Sequence, residues 1–213
     1  MEALSVKPVD IFSLKNLKDR KEGLFPRSIS GFGNRDILHN RALGFFCSVK
    51  CPGNLILQTY DLARALRDAH ITVIGGFHSP MEKECLNLLL RGQQPVIICP
   101  ARSIKGMRLP SEWQFPLSHG RLLLLSPFDD KQRRTTSDLA EKRNEFVAAI
   151  ADVLFIAYAA PSSKTERFCR EVLTWGKPLF TLDSEQNINL ISLGARPVIP
   201  NKAPHLMMVT EQH

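Results

Sequence analysis

The stretch Ile71-Thr72-Val73-Ile74-Gly75-Gly76-Phe77-His78-Ser79-Pro80-Met81-Glu82 reads as one complete passage from strand to helix. Ile71 to Ile74 is apolar and β-branched, as suits a strand covered on both faces. Gly75-Gly76 ends the strand. Ser79 and Glu82 make a capping box, with Pro80 at the first helical position, so a helix opens at Ser79. A buried strand feeding straight into a helix is the repeating unit of a parallel α/β sheet.

The same unit recurs on either side. Upstream, Leu43–Val49 is an apolar run that reads as a buried strand. Pro52, Gly53 and Asn54 break it and start a helix, on which Leu55, Leu62, Leu66 and Ala69 share one face. Downstream, Pro95–Cys99, Arg121–Leu125, Val153–Tyr158 and Pro178–Leu182 read as strands, with Ala195–Ile199 as a further one. Helices are expected over Ser137–Ile150 and from Ser163 through Trp175. In the second of these, Ser163 and Glu166 repeat the capping box, Phe168, Val172 and Trp175 form the buried stripe, and Gly176 is the stop. Ala101–Gly120, with Pro110, Trp113 and Pro116, is expected to be an irregular connection. Asp10–Arg20 reads as a short helix, followed by a loop marked by Gly23, Pro26, Gly31 and Gly33. The fold class is therefore α/β: a Rossmann-like, doubly wound, mainly parallel sheet with helices on both faces. Residues 1–41 are expected as an N-terminal extension packed on the core, 42–200 as the Rossmann-like domain and 201–213 as a mobile tail.

The chain of 213 residues, 44% hydrophobic and 23% charged, has the make-up of one ordinary globular domain. No apolar run approaches the roughly 18 residues of a membrane helix, and Met1–Asp10 has no signal-peptide core. A cytoplasmic protein is expected. The net charge of +7 suits a polyanionic partner such as nucleic acid or nucleotides. Five cysteines, an odd number, argue against a disulfide framework. Cys47 and Cys51 form a CxxxC pair, but no second Cys/His pair follows at zinc spacing, so no metal is expected.

Ligands of such sheets bind at the carboxyl ends of the strands. There the chain carries Ser48, Lys50, Gly53 and Asn54 after the first parallel strand, and Gly75, Gly76, His78 and Ser79 after the second. Ser162, Ser163, Lys164 and Thr165 follow the fifth. Small residues, helix N-termini, hydroxyls and lysines together make a phosphate-type site, although any one loop alone is ordinary turn chemistry. No loop has a full GxGxxG or GxxxxGK[ST] pattern, so no dinucleotide or other cofactor is expected. Arg143 and Asn144 lie on the helix before the fifth strand. Lys131, Arg133, Arg134, Lys142 and Arg143 are close in sequence and read either as a backbone-binding patch or as a solvated helix face. Phe77, Trp113 and Tyr158 are candidates for base stacking or for packing under loops. No set of catalytic residues can be picked out: His78 has no evident acidic partner, and there is no nucleophile elbow.

Arg143-Asn144, the Ala151-Asp152 turn, the strand that follows and Ser162-Ser163 resemble successive motifs of the DNA-processing protein A (DprA/Smf) family. So do Lys177-Pro178-Leu179-Phe180, Asn189-Leu190-Ile191 with Gly194-Ala195, Phe46-Cys47-Ser48 and Val73-Ile74-Gly75-Gly76. The similarity runs from about Gly31 to Val198. It implies a Rossmann-like fold, a homodimer, single-stranded DNA in a basic pocket, no catalytic activity and a recombinase as partner. By motif position Ser48, Lys50, Gly76, Arg143, Asn144, Ser162 and Ser163 would line or shape that pocket. The chain departs from the family where Ser79–Leu86 replaces its "GID..AH" segment, where Val49-Lys50 replaces an arginine, and where Pro100-Ala101-Arg102-Ser103 replaces "Gld..YP". More distantly the chain is similar to the lysine-decarboxylase-like (LOG) nucleotide-processing proteins. Their catalytic glutamate is replaced here by Phe168, and the glycines of their loop are missing from Pro161–Thr165. The sequence thus leaves three readings: a single-stranded DNA binder, a sensor or enzyme for a free nucleotide in the same pocket, and a scaffold that has lost its ligand.

Overall fold

The computed structural model describes residues 7–9 and 29–208. The helix expected over Asp10–Arg20, the turn residues Gly23 and Pro26, and the tail beyond residue 208 lie outside the described residues.

Among the described residues a nine-stranded sheet runs through the molecule. Its strands are β1 (Lys7–Val9), β2 (Ile29–Gly33), β3 (Ala42–Phe46), β4 (Thr72–Gly75), β5 (Val96–Ile98), β6 (Leu122–Ser126), β7 (Val153–Ile156), β8 (Leu179–Leu182) and β9 (Arg196–Val198). Their order is β1-β2-β6-β5-β4-β3-β7-β8-β9. All neighbours from β6 to β9 pair in parallel, with Gly44 opposite Ile74 on one side of β3 and opposite Leu154 on the other. The expected Rossmann-like, doubly wound architecture is therefore what the chain forms. Strand order reverses between β3 and β7, and this switch point is where such sheets leave a crevice.

The helices are α1 (Gly53–Asp68), α2 (Pro80–Leu89), the short α3 (Gln114–Ser118), α4 (Ser137–Ile150), α5 (Lys164–Thr174) and α6 (Ile188–Leu193). Leu55, Leu62 and Leu66 of α1 and Met81, Cys85, Leu86 and Leu89 of α2 pack on one face of the sheet. Phe146, Val147 and Ile150 of α4, Phe168, Cys169 and Val172 of α5 and Leu190 of α6 pack on the other. With both faces covered, the central strands are buried along their whole length, which is why they read as continuous apolar runs. No described helix is long and apolar enough to cross a membrane.

Several elements differ from expectation, among them α3, which forms after a short 3-10 turn inside the segment Ala101–Gly120 expected as an irregular connection. Ile29–Gly33, read as loop, is β2, which runs antiparallel to both β1 and β6. Its two glycines hid it, and its partner Leu123–Ser126 lies far along the chain. Residues 201–208, expected as mobile tail, form a 3-10 segment whose Leu206 joins the α1 face of the core, and Arg41 Nη1 donates to the Met207 carbonyl at 2.6 Å. Between β8 and β9 the chain forms a short 3-10 turn and then α6, which ends at Gly194 with φ of 114°; that left-handed stop is open to glycine at little cost.

Polar side chains fasten these elements together. Asp152 accepts the Ala42 N–H at 2.7 Å and its own N–H donates to the Ala42 carbonyl at 2.9 Å, closing β3 onto the start of β7. The buried Lys177 ammonium donates to the carbonyls of Ala149 (2.8 Å) and Ala151, at the C-terminus of α4. Carbonyls left over at a helix end attract a cation. Asn187 Nδ2 donates to the carbonyls of Ala157 (3.0 Å) and Leu182 (3.3 Å), tying together the carboxyl ends of β7 and β8.

Candidate functional site

At the switch point a cleft of about 420 Å³ opens beyond the carboxyl ends of β3 and β4, walled by α4 and α5. It brings together seven of the residues singled out in the sequence: Ser48, His78, Ser79, Arg143, Asn144, Lys164 and Thr165. Gly75 and Gly76 lie just behind its wall, at the end of β4. Lys50, Gly53, Ser162 and Ser163 are on the neighbouring loops but do not line it. Lys50 is exposed on the β3–α1 loop, and Gly53 is the first residue of α1 with open space around its Cα.

The backbone donors of two of these loops are already occupied. Glu82 is buried, and its carboxylate accepts the N–H groups of Cys47 (2.8 Å), His78 (2.7 Å) and Ser79 (3.1 Å). Ser79 Oγ in turn accepts the Glu82 N–H at 3.3 Å, completing the capping box. At α5 the Ser163 hydroxyl accepts the Glu166 N–H at 3.2 Å, and the Glu166 carboxylate accepts the N–H of Ser162 (2.8 Å) and the amide of Asn189. These hydrogen bonds, Asn189 first and Ser162 second, hold the Glu166 carboxyl below the usual carboxylate range. The sites that the sequence reads as phosphate cradles thus hold carboxylates of the protein itself. The Ser79–Glu82 capping box forms as its i, i+3 spacing predicts, whereas at α5 only the Ser163 half of the expected box forms, because the Glu166 carboxylate takes the N–H of Ser162 instead of that of Ser163; the reach of these glutamates to further loop N–H groups was not legible.

Arg143 departs furthest from a solvated helical charge. It is 4% exposed, its Nη1 donates to the Cys99 carbonyl at 3.0 Å and its Nε to Asn144 Oδ1 at 2.9 Å. Among the described residues no carboxylate makes an ion pair with it. Burial works against its charge, and the nearby Glu82 works in favour of it. Gly76 is what admits the guanidinium: a Cβ there would stand 1.5 Å from Arg143 Nη1. A buried cation without a carboxylate partner is costly, and such groups concentrate at functional sites.

Lys164, by contrast, is paired: its ammonium donates to Glu141 and to the Ser137 hydroxyl, and Glu141 is held below its ordinary range by that lysine. Ser48 Oγ donates to Thr165 Oγ1 at 2.9 Å, so these hydroxyls join the β3 and β7 loops. The charged lining also includes Glu145, Arg167 and Glu171; the last two, at i, i+4 spacing on α5, were not read as site residues from the sequence. With Arg143, Lys164 and Arg167 facing Glu82, Glu141, Glu145 and Glu171, the cleft is of mixed charge. Phe77 is buried in the core, and Trp113 and Tyr158 pack against it, which favours packing over base stacking. Phe77 and Ser162 hold φ values of 46° and 59°. Such strain in non-glycine residues persists where the surroundings fix it.

The basic surface lies beside the cleft. The loops after β5 and β6 are locked together: Ser103 N–H donates to the Gln132 carbonyl at 2.8 Å, Ser126 Oγ to the Arg102 carbonyl at 2.9 Å, and Arg102 Nη1 reaches the Arg133 carbonyl at 3.5 Å. Lys105 pairs with Asp130, and Ala101, Phe128 and Leu139 form a small core beneath. This platform carries Arg102, Lys105, Lys131, Arg133 and Arg134 against Asp129 and Asp130, and it leads directly into α4. Among the described residues no group of three or more His, Cys, Asp or Glu is placed to hold a metal ion.

The sequence matches no protein-family model and no curated protein. Solved structures do match. The chain is similar to DNA processing protein A from Helicobacter pylori, a protein that binds single-stranded DNA, with a TM-score of 0.76 and 18% identity over 96% of this chain and 97% of that one. It is similar to DNA processing protein A from Streptococcus pneumoniae, with a TM-score of 0.70 and 14% identity over 96% of this chain and 80% of that one. A weaker likeness, with a TM-score of 0.53 and 12% identity over 80% of this chain and 99% of the other, is to the molybdenum cofactor carrier protein of Chlamydomonas reinhardtii. Topology, the crevice at the switch point and these likenesses agree: the fold of this chain is the fold of DNA processing protein A.

Proposed function

We propose that this protein binds single-stranded DNA and acts as a non-catalytic DNA-processing protein. The observation that carries the reading is the locked basic platform of Arg102, Lys105, Lys131, Arg133 and Arg134, set beside a cleft with the buried Arg143 in its wall. Phosphate contacts by exposed cations supply most sequence-independent affinity, and a cation already desolvated adds directional donors at low cost. The likeness to the Helicobacter pylori protein supports the same reading, although a shared fold alone does not fix function. On this proposal the strand's phosphates run over the platform, and the cleft takes one nucleotide unit near Ser48, His78, Ser79 and Asn144. Lys50, Gly53, Ser162 and Ser163, on the neighbouring loops, are proposed to contact the flanking nucleotides. Homodimerisation and a recombinase partner belong to the same proposal, supported by the family resemblance, and sedimentation and pull-down with a recombinase test them.

The deciding experiment is fluorescence anisotropy of a labelled single-stranded oligonucleotide across a salt series. The wild type is expected to bind at low salt and to weaken as salt rises. Arg133→Ala with Arg134→Ala removes exposed side chains and is expected to leave the fold intact while reducing the salt slope by roughly 0.7 per lost phosphate contact. Arg143→Ala with Lys164→Ala is expected to weaken binding further, with thermal melting to confirm that the variant folds. No binding at low salt overturns the proposal, as does tight, salt-insensitive binding of a single free nucleotide.

A further inference from the structure

Lys164 faces the cleft with its charge already engaged. It is the first residue of α5, and its ammonium crosses to α4, where it donates to the Glu141 carboxylate at 2.5 Å and to the Ser137 hydroxyl at 2.6 Å. Ser137 Oγ itself stands 3.5 Å from Glu141 Oε1. All three side chains line the cleft, so they close a small polar ring between the two helices that wall it. We infer that this ring is a latch: Glu141 holds the lysine in place of a DNA phosphate, and a strand enters the cleft by exchanging one anion for the other. The inference rests on the proposed binding of single-stranded DNA and names the residue that restrains it.

The arrangement suits exchange rather than permanent closure. The lysine side chain is 58% exposed and the glutamate 49%, and ion pairs so open to water contribute little to stability. The lysine also stands in the first turn of its helix, where the helix dipole opposes a cation. A phosphodiester offers the ammonium the same charge-assisted hydrogen bonds as a carboxylate does. The other charged groups in the wall are less free to trade partners. Glu82 is buried and tied to three backbone N–H groups, and Arg143 is buried against the Cys99 carbonyl. The cleft therefore combines a fixed cation with one that a strand must win from Glu141. The displaced carboxylate then takes up a counterion from solution, which offsets the one that the phosphate gives up.

The test is a double-mutant cycle on the full chain, read by anisotropy of a labelled single-stranded oligonucleotide across a salt series. It compares the wild type, Glu141→Gln, Lys164→Ala and the double variant. Both side chains are about half exposed, so the variants are expected to fold, which thermal melting checks. Glu141→Gln keeps the size of the side chain and removes its charge. It is expected to tighten binding about two- to five-fold at low salt, the worth of an exposed ion pair. The salt slope should steepen by about 0.7, because no carboxylate is left to take up a cation. In the Lys164→Ala background the same substitution should gain less, since no lysine remains to be freed. An equal gain in both backgrounds marks a simple loss of negative charge and overturns the latch. So does a Glu141→Gln variant that binds no more tightly than a wild type that binds; either result leaves the proposed function standing. Failure of both the wild type and Glu141→Gln to bind at low salt overturns the proposed function, and the latch with it.

Discussion

At the scale of single residues, charge and space are settled by close neighbours. Gly76 has no side chain because the Arg143 guanidinium fills the place where one would stand. Gly76→Ala is expected to cost about 1–3 kcal/mol from overpacking, measured by urea denaturation. Combined with Arg143→Ala the two losses should fall short of additive, since the clash is gone. Lys177→Met strips the Ala149 and Ala151 carbonyls of their donor. It is expected to destabilise by about 1–3 kcal/mol in the same assay, through buried acceptors left unmade. Neither effect could be read from the sequence. A glycine after a strand and an arginine on a polar helix face look ordinary one at a time; their contact joins the end of β4 to the middle of α4.

At the scale of elements, local chemistry was legible and long-range pairing was not. The capping box at Ser79 and Glu82 and the Ser163 cap of α5 form where the sequence places them, because cap and partner are three residues apart. Ser79→Ala is expected to cost about 1 kcal/mol in thermal or urea unfolding. Glu166 extends its cap by drawing in Ser162 and Asn189, and its folded-state pKa is depressed. Its contribution is therefore present above the unfolded carboxylate pKa and lost as pH falls through the lower folded value. The stability gap between the wild type and Glu166→Gln should be widest near neutral pH and shrink on acidification below the ordinary glutamate range, followed by urea midpoints. A gap constant down to strongly acidic pH would exclude this role. The strand β2, in contrast, is a glycine-containing segment that earns its conformation from β6, a partner that no local pattern reveals.

At the scale of the whole molecule, the alternation of strands and helices was enough to give the architecture and to point to the carboxyl edge of the sheet, where the structure opens a cleft. It was not enough to divide that edge into its parts. The sequence lumps Lys131, Arg133, Arg134, Lys142 and Arg143 together; the structure puts the first three on an exposed platform and buries Arg143 against β5 and β4. Charge along a chain says little about which cations share a surface until loops such as 100–105 and 126–133 are brought together. On the proposed function, a charge swap at Arg133 and Arg134 should accordingly change the salt dependence of single-stranded DNA binding while leaving the unfolding free energy within about 0.5 kcal/mol of wild type, as surface substitutions do.

The position of β3 has a consequence for the chain as it is made. Its partner β4 follows soon after it, and β2, β6, β5, β4 and β3 can all pair once Ser126 has emerged. Its other partner, Val153–Ile156, arrives only after the whole of α4. Throughout that interval the growing polypeptide carries a half-sheet whose apolar strand Ala42–Phe46 presents a bare row of N–H and C=O groups, the kind of edge to which stray strands add. A ribosome stalled before Val153 would release a sticky fragment, and premature stop codons in that window would yield aggregates rather than a smaller working protein.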